Sequence, residues 1–194
     1  TRPCADFLVE LGTEELPPKA LLLLRDSFRD GITRGIAEAG LATSSVAAYA
    51  TPRRLAVLVT ALQLRQVDQE IEQRGPPVTL AFDNSGVATK AAEAFANKCG
   101  VNVADLSTVK TDKGEWLYYK GRSAGADARA LLPGIVMQAL NALPVPRRMR
   151  WGSGQVEFVR PVHWLVMLLG NEIVDCEILG VKAGRTTFGH RIHA

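Results

Sequence analysis

The spacing of apolar residues near the start of the chain predicts a β-strand followed by an amphipathic helix. Residues 7–11 read FLVEL, an alternation that leaves one face of the strand fully apolar. Apolar residues then recur at three- and four-residue steps through residues 18–39, which predicts a helix that ends at Gly40. Because a proline disfavours helical dihedral angles in the residue before it, we expect Pro17 to flank this helix and Pro18 to be its first residue.

Runs rich in apolar and β-branched residues predict most of the later strands. These predicted strands lie at residues 46–49, 55–62, 69–73, 156–159, 163–169 and 172–179. Thr51-Pro52 marks the corner between the first two. A hairpin is also predicted over residues 108–120, where a three-residue loop would place Gly114 in its left-handed position.

Two further helices are predicted between these strands. Thr89 is expected to cap a short helix that ends at Gly100. A longer apolar stripe follows Gly125 and stops before Pro144, and Pro133 should either kink this helix or lie in its first turn. A strand, a helix and then several strands indicate an α+β fold, in which amphipathic helices pack on a largely antiparallel β-sheet.

The turn-rich passage at residues 75–86 (GPPVTLAFDNSG) is the best candidate for an internal boundary. We therefore divide the chain into three parts. Residues 1–75 form an N-terminal β-α-β lobe, and residues 76–146 form a helix–hairpin–helix module that is a candidate insertion. Residues 147–194 form a β-rich segment that completes the domain.

Composition narrows the function classes without choosing one. The 194 residues are 47% hydrophobic, enough for one large or two small domains with a buried core. The net charge of +3 is too small to identify a nucleic-acid-binding protein by itself. Three widely spaced cysteines without CxxC spacing argue against a disulfide framework and fit a reducing cytoplasm. No apolar run reaches the ~20 residues of a membrane span, so we expect neither secretion nor membrane insertion.

Adjacent Glu14 and Glu15, at the exit of the first predicted strand, are candidates for general acid–base catalysis or magnesium binding. Neighbouring residues on an extended chain point in opposite directions, which argues against a shared ligand. In the structural alternative, one carboxylate lies near the N-terminus of the following helix and the other binds an arginine. We favour this alternative, in which both glutamates belong to a strand-to-helix corner with Pro17 and Pro18.

A basic cluster supplies the main candidates for RNA contact. The stretch PRRMRW places Arg147, Arg148 and Arg150 beside Trp151. This combination suits phosphate contacts together with stacking on an unpaired base. In the alternative interpretation, the arginines form a solvated rim and Trp151 packs under a helix.

Isolated arginines are further candidates for RNA contact. They are Arg53, Arg74 and Arg160. Arg53 and Arg54 should face opposite sides if both lie on a strand, so a joint phosphate clamp is not expected there.

Neither the spacing of the histidines nor a known catalytic motif indicates an active site. His190 and His193 have a three-residue spacing, but a third ligand is missing and Gly189 favours a loop, so we expect no metal. His163 is expected to be structural or solvent-exposed. The chain contains no GxxxxGK[ST] loop, no GxGxxG after a strand and no GxSxG elbow. Cys99 has no evident base beside it. The residues alone therefore identify no catalytic group.

A series of motifs resembles the N-terminal part of the beta subunit of bacterial glycyl-tRNA synthetase, the tetrameric kind with two alpha and two beta chains. The motifs are FLVELGTEELPPKAL, TPRRLAV, RGPP, TKAAEAFA, TDKGEWLYY, MRWG followed by FVRPVHW, and GHR. They follow the family's order over essentially all 194 residues. The family's beta chain is several times longer, so this chain resembles an N-terminal fragment of it.

The resemblance implies a division of labour between subunits. In that family the alpha subunit carries the class II active site, which uses ATP and magnesium to activate glycine. The beta subunit is needed for tRNA binding and charging and contributes to the tetramer. We therefore expect no catalytic residue and no cofactor in this chain. Its expected partners are the alpha subunit, tRNA(Gly) and the remainder of the beta chain. The N-terminal region is also similar to the B3/B4 module of phenylalanyl-tRNA synthetase beta chains.

Three functions remain open at this point. The first is a non-catalytic part of glycine–tRNA ligase that contacts tRNA through the arginines named above. The second is a protein-interaction scaffold, suggested by the apolar runs at residues 55–62 and 163–169, which could equally be core strands. The third is an editing hydrolase that would use Glu14, Glu15 and His163. Because a pocket for glycine excludes larger amino acids sterically, the need for editing is small.

Overall fold

The structure, a computed structural model, describes residues 3–144, 149–150 and 157–189 and has a mixed α+β fold. In chain order, the strands of these residues are β1 (Cys4–Thr13), β2 (Ser45–Thr51), β3 (Arg54–Gln63), β4 (Gln69–Pro77), β5 (Ser107–Thr111), β6 (Gly114–Ser123), β7 (Met149–Arg150), β8 (Glu157–Phe158), β9 (Val162–Leu169), β10 (Glu172–Ile173), β11 (Glu177–Ile178) and β12 (Val181–Gly184). The α-helices of the same residues are α1 (Leu21–Glu38), α2 (Val78–Ala81), α3 (Lys90–Cys99) and α4 (Ala128–Asn141). Single 3₁₀ turns lie at Pro18–Ala20 and Val103–Asp105.

The chain divides into two compact units. The first consists of Thr1–Gln66 with Ala126–Ala194, and the second is Val67–Gly125. These limits differ from the sequence-based division at 75/76 and 146/147. The first predicted boundary falls inside β4, because that strand continues through the glycine and prolines that suggested a turn. At the other end, α4 belongs to the first unit and not to the helix–hairpin–helix module.

The first unit is built on one sheet with the strand order β11-β12-β9-β1-β3-β2, and β10 also pairs with β9. All of these pairs are antiparallel except β12 with β9. This confirms the predicted antiparallel α+β class. The opening strand β1 lies in the interior of the sheet, where Val9 stands between Val57 and Met167.

The face of β1 that alternates as Phe7, Val9 and Leu11 is fully buried in the main hydrophobic core. The predicted helical stripe is confirmed, because the buried residues of α1 follow it and belong to the same core: Leu24, Phe28, Ile32 and Ile36. Helix α4 lies beside α1 and comes very close to it. A Cβ at Gly31 would lie 2.9 Å from the Cβ of Ala139, so the glycine is what permits this approach.

The entry to α1 follows the predicted proline geometry. Pro17 has φ −58° and ψ 121°, an extended conformation, and Pro18 begins the 3₁₀ turn that leads into the helix. Gly40 follows the helix with φ +67°, as a C-terminal glycine should. The local signals at both ends of this helix were therefore sufficient to place it.

The second unit has a three-stranded sheet of order β4-β6-β5 and a small core. Its buried residues come from two helices and the central strand: Ala81, Ala92, Phe95 and Leu117. The predicted hairpin is present, but Thr111 pairs directly with Gly114, so the loop has two residues instead of three. Gly114 opens β6 with φ +121°. Thr89 precedes α3 without a side-chain cap, and its hydroxyl donates to the carbonyl of Leu80 at 2.7 Å.

The two ends of the second unit meet at a short antiparallel ladder within the first. The Gln66 N–H donates to the Ala126 carbonyl at 2.9 Å, and the Ala128 N–H donates to the Leu64 carbonyl at 2.8 Å. The Gln66 side chain accepts from the Ala126 N–H at 3.0 Å and donates to the Ala39 carbonyl at 2.7 Å. Residues 67–125 therefore leave the first unit and return to it through adjacent positions.

One later prediction needs correction, and one of the two alternatives for Pro133, a place in the first turn, is excluded. The strand predicted at residues 172–179 consists of two short strands, β10 and β11, separated by residues without regular structure, and β12 follows them. Pro133 lies inside α4, beyond its first turn. Asp127 caps the start of this helix, because its carboxylate accepts from the Arg129 N–H at 2.8 Å. Among the described residues, no helix is long and apolar enough to cross a membrane.

Candidate functional site

A broad pocket of about 1140 Å³ opens in the first unit where several chain segments converge. Its principal lining residues are Thr13, Arg53, Arg54, His163, Trp164 and Phe188, and we call it the Arg53 pocket. Glu15 also contributes to its lining. Apart from Arg53, His163 and Glu15, none of these residues stood among the sequence-based candidates for a site.

Main-chain hydrogen bonds hold these segments together. The Thr13 N–H donates to the Arg53 carbonyl at 2.9 Å, and the Glu14 N–H donates to the Pro161 carbonyl at 3.0 Å. The Leu16 N–H donates to the Pro52 carbonyl at 2.6 Å. The strand exit, the Thr-Pro corner and the start of β9 therefore converge because their backbones pair with one another.

Trp164 forms one wall of the pocket. Its partner across the sheet is Gly12, and a Cβ there would lie 2.0 Å from the indole, so only glycine lets the ring lie on the β1 backbone. The indole Nε1 donates to Glu10 Oε1 at 2.9 Å. The Phe188 ring meets the indole edge to face, with centroids 5.2 Å apart and planes at 63°.

Glu10 is a buried carboxylate that anchors the groups behind the pocket, with 8% of its surface exposed. Its Oε1 also accepts from the Thr187 hydroxyl, and Arg54 Nη1 lies 3.8 Å from its Oε2. Arg54 Nη2 donates to the Phe188 carbonyl, and its guanidinium lies 5.9 Å from the centroid of the Trp164 ring. Glu10 was not among the sequence-based candidates, although it is the single charged residue in the FLVEL run.

The paired glutamates of the strand exit take different partners. Glu14 Oε1 lies 2.7 Å from His163 Nε2, so two residues 149 positions apart form a carboxylate–imidazole pair. At Glu15 it is the main-chain carbonyl that accepts from Arg160 Nε, at 2.9 Å, while the side chain lines the pocket. Both residues lie beyond the end of β1, and Glu14 is in a bend, so the alternation of an extended strand does not set the directions of their side chains.

The arginine candidates lie in several places. Arg53 is exposed at the pocket, and among the described residues its guanidinium has no recorded hydrogen bond or ion pair. It lies in the turn before β3, so Arg53 and Arg54 both line one pocket instead of facing opposite sides. Arg74 belongs to the second unit, where its guanidinium carbon lies 3.9 Å from the centroid of the Trp116 ring.

The side chains of the PRRMRW stretch, the main sequence-based candidates for RNA contact, lie outside the described part of the chain. Arg147, Arg148 and Trp151 fall outside the described residues, as do His190 and His193. Only the main chain of Arg150 is described, in the two-residue strand β7. The PRRMRW stretch therefore stays a sequence-based prediction.

Thr13 gives the Arg53 pocket an unsatisfied polar group. The residue is 2% exposed, and its hydroxyl has no hydrogen-bond partner among the described residues. Buried hydroxyls are nearly always paired in folded proteins. Within the described part of the chain, the Thr13 hydroxyl therefore lacks the hydrogen bond that a buried hydroxyl normally makes, in a residue that lines the pocket. Among the described residues, no group of three His, Cys, Asp or Glu side chains could hold a metal ion.

A family model described as "Glycyl-tRNA synthetase beta subunit" matches residues 7–194, which covers the pocket and both compact units. The chain belongs to the glycyl-tRNA synthetase beta subunit family. This confirms the family that the sequence motifs suggested.

Curated relatives of the glycyl-tRNA synthetase beta subunit family agree with this assignment. The glycine–tRNA ligase beta subunit of Hahella chejuensis is 54% identical over 188 residues, and that of Chromohalobacter salexigens is 56% identical over 188 residues. The corresponding protein of Pseudomonas aeruginosa is 52% identical over 188 residues. Each alignment covers 97% of this chain and 27% of the relative. The chain thus spans about a quarter of the length of these relatives.

Proposed function

We propose that the chain is the non-catalytic N-terminal region of the beta subunit of a tetrameric glycine–tRNA ligase, and that it contributes to the binding of tRNA(Gly). In this proposal the alpha subunit activates glycine with ATP and magnesium, and this region holds no cofactor. Its partners are the alpha subunit, the remainder of the beta chain and the tRNA, in the cytoplasm. Family membership supports the assignment to the ligase.

The observation that carries the tRNA part of the proposal is the Arg53 pocket. It combines an exposed guanidinium, two aromatic rings and an unsatisfied hydroxyl within one cavity. Phosphates bind to arginine, and unpaired bases stack on aromatic side chains. A catalytic carboxylate dyad would need two acidic groups in the cavity, whereas Glu15 lines it and Glu14 is paired with His163. The cavity therefore favours RNA binding over catalysis.

A scaffold function loses its original sequence support, because the two apolar runs that suggested it lie in β3 and β9, strands with partners on both sides. A different feature favours it. Leu22 and Leu23, at the start of α1, are 63% and 54% exposed. Two neighbouring exposed leucines are suited to contact with another protein surface. Replacing both with lysine should weaken assembly of the tetramer if this second function holds.

An editing hydrolase would rest on the Glu14–His163 pair, which places two of the three suspected residues 2.7 Å apart. A carboxylate that orients an imidazole is a common part of hydrolytic sites. The test is hydrolysis of mischarged tRNA by the intact ligase with His163→Ala. An unchanged rate of hydrolysis would exclude this function.

The experiment for the proposed function is glycine charging of tRNA by the intact ligase, with and without residues 1–194 of its beta chain. Native mass spectrometry would follow the assembly in parallel. Lost charging and lost tRNA affinity with an intact tetramer would support the proposal. Charging and tRNA affinity that both survive the deletion would overturn it, and charging lost together with the tetramer would favour the scaffold.

A further inference from the structure

We propose that the Arg53 pocket binds a single unpaired nucleotide, with the base on Phe188, the phosphate on Arg53 and a polar atom at the Thr13 hydroxyl. This inference rests on the proposed function and specifies the part of the RNA that this region would recognise. Three observations carry it, and each concerns a different part of the nucleotide.

The first observation is an aromatic ring that is both exposed and held in place. Phe188 is 54% exposed, although its ring packs edge to face on Trp164 and its carbonyl accepts from Arg54. Phenylalanine rings are normally buried, whereas the Phe188 ring is exposed and is nevertheless held in place by Trp164. A ring that is ordered before binding loses little entropy when a base stacks on it.

The second observation is the unequal use of two adjacent arginines. Arg54 is engaged with Glu10, Trp164 and the Phe188 carbonyl, so its charge stabilises the wall of the pocket. Arg53 is exposed on the same pocket, with no recorded partner among the described residues. The guanidinium of Arg53 is therefore available for a phosphate, which it can bind through two parallel N–H bonds.

The third observation is the Thr13 hydroxyl, which is buried and without a hydrogen-bond partner among the described residues. A nucleotide offers ribose hydroxyls and base edges that could satisfy it. The cavity of about 1140 Å³ is large enough to hold a ligand of this size. A base that is stacked within a duplex could not enter such a cavity, so the ligand must be unpaired.

The test measures tRNA affinity of the intact ligase by fluorescence anisotropy with labelled tRNA(Gly) at several salt concentrations. Arg53→Ala and Phe188→Ala are the test variants. Arg34→Ala is the matched control, because Arg34 is an exposed arginine of the same unit on α1 and does not line the pocket. Phe188→Leu keeps apolar volume and separates loss of stacking from loss of packing.

Phe188→Ala should weaken binding by about 5- to 150-fold, the range for loss of one stacked base. Phe188→Leu should lose a similar factor while the melting temperature is retained. Arg53→Ala should reduce the log–log salt slope by about 0.7, the value for one phosphate of a single strand. Arg34→Ala should leave affinity near that of the parent. Equal affinity of the Arg53 and Phe188 variants and the parent would overturn the inference.

Competition identifies the ligand chemistry. A labelled single-stranded RNA tetranucleotide should be displaced by unlabelled tetranucleotide and by nucleoside monophosphate, but not by a blunt RNA duplex. Displacement by inorganic phosphate at the same concentration as the monophosphate would show that the base is not bound and would overturn the inference. Displacement by the blunt duplex would overturn it equally, because the pocket would then not require an unpaired nucleotide.

The inference and the proposed function fail in different ways. If deletion of residues 1–194 weakens tRNA binding but the pocket variants do not, the proposed function survives and the pocket assignment is wrong. If the pocket variants disturb assembly mass without changing RNA affinity, the pocket serves another part of the ligase and the assignment is again wrong. If the deletion leaves tRNA affinity unchanged, both fail together.

Discussion

Gly12 and Trp164 face each other across β1 and β9, and the indole occupies the space that any side chain at position 12 would need. The contact joins the end of the opening strand to a residue far along the chain. It fixes one wall of the Arg53 pocket, because the Trp164 ring can lie on the β1 backbone only where no Cβ intervenes.

Replacing Gly12 with alanine should destabilise the protein by roughly 1–3 kcal/mol, the usual cost of overpacking a closed contact. The new Cβ would lie 2.0 Å from the Trp164 ring, so the ring or the strand must move. Urea unfolding followed by circular dichroism measures the change. Gly134→Ala is the control, because a Cβ there meets no atom within 4 Å in α4, and it should be stabilising by roughly 0.5–1 kcal/mol. Equal stability of Gly12→Ala and the parent would contradict the geometry.

Glu10→Ala should cost roughly 1–3 kcal/mol, because the Trp164 N–H and the Thr187 hydroxyl would lose their common acceptor in a buried place. Glu10→Gln retains one acceptor oxygen and should cost less. Denaturant unfolding monitored by tryptophan fluorescence gives both values. Glu38→Ala, at the exposed end of α1, should stay within about 0.5 kcal/mol of the parent. A Glu10→Ala protein as stable as this control would show that the buried network contributes nothing.

The first unit should fold without the second. Replacing residues 67–125 with an Asn-Gly turn would join Gln66 to Ala126, whose backbones already pair at 2.9 Å. A short turn between paired residues has little closure entropy to overcome. We expect a cooperative urea transition with a smaller m-value than that of the full chain, since less surface is buried. Adding Gln66→Ala to the same variant should lower the midpoint, and a transition without cooperativity would refute the independence of the first unit.

Cys176 should react slowly with thiol reagents. Burial raises the pKa of its thiol, with a smaller contribution from Asp175, and its Sγ lies 3.4 Å from Met167 Sδ. A raised pKa leaves less thiolate at a given pH, so alkylation at pH 8 should be slower than at exposed Cys4 and should accelerate as the pH rises. Mass spectrometry of iodoacetamide time courses resolves the two sites. In urea, where both cysteines are exposed, the two alkylation rates should be equal. Equal rates at Cys176 and Cys4 in the folded protein as well would contradict this assignment.

The elements that could be predicted from the sequence depend on neighbouring residues. The entry to α1 through Pro17 and Pro18 and its end at Gly40 follow from local dihedral preferences. The apolar stripe of the same helix follows from its periodicity. The prediction was less accurate for the length of the loop before Gly114, where a glycine fits more than one hairpin loop, and for the strand expected at 172–179, where apolar residues do not show a break in pairing.

The pocket could not be predicted because its contacts join residues that are distant in sequence. Glu14 meets His163, Arg54 meets Phe188, and Glu10 meets Thr187 only after the sheet has formed. No local pattern encodes the β1–β9 register that brings these groups together. The one available signal was a charged residue within an apolar strand run, which indicates a buried partner without naming it.

The interior position of β1 also has a consequence for synthesis. One edge of β1 can pair with β3 soon after both have emerged from the ribosome, but the other edge waits for β9. Roughly 100 residues separate the end of β3 from the start of β9, which corresponds to about 5–20 s of translation. During that interval the backbone N–H and C=O groups along this edge of β1 have no partner strand, and such an edge can pair with another chain and aggregate. Nascent copies of this protein on neighbouring ribosomes are therefore expected to depend on chaperones that bind extended apolar segments until β9 appears.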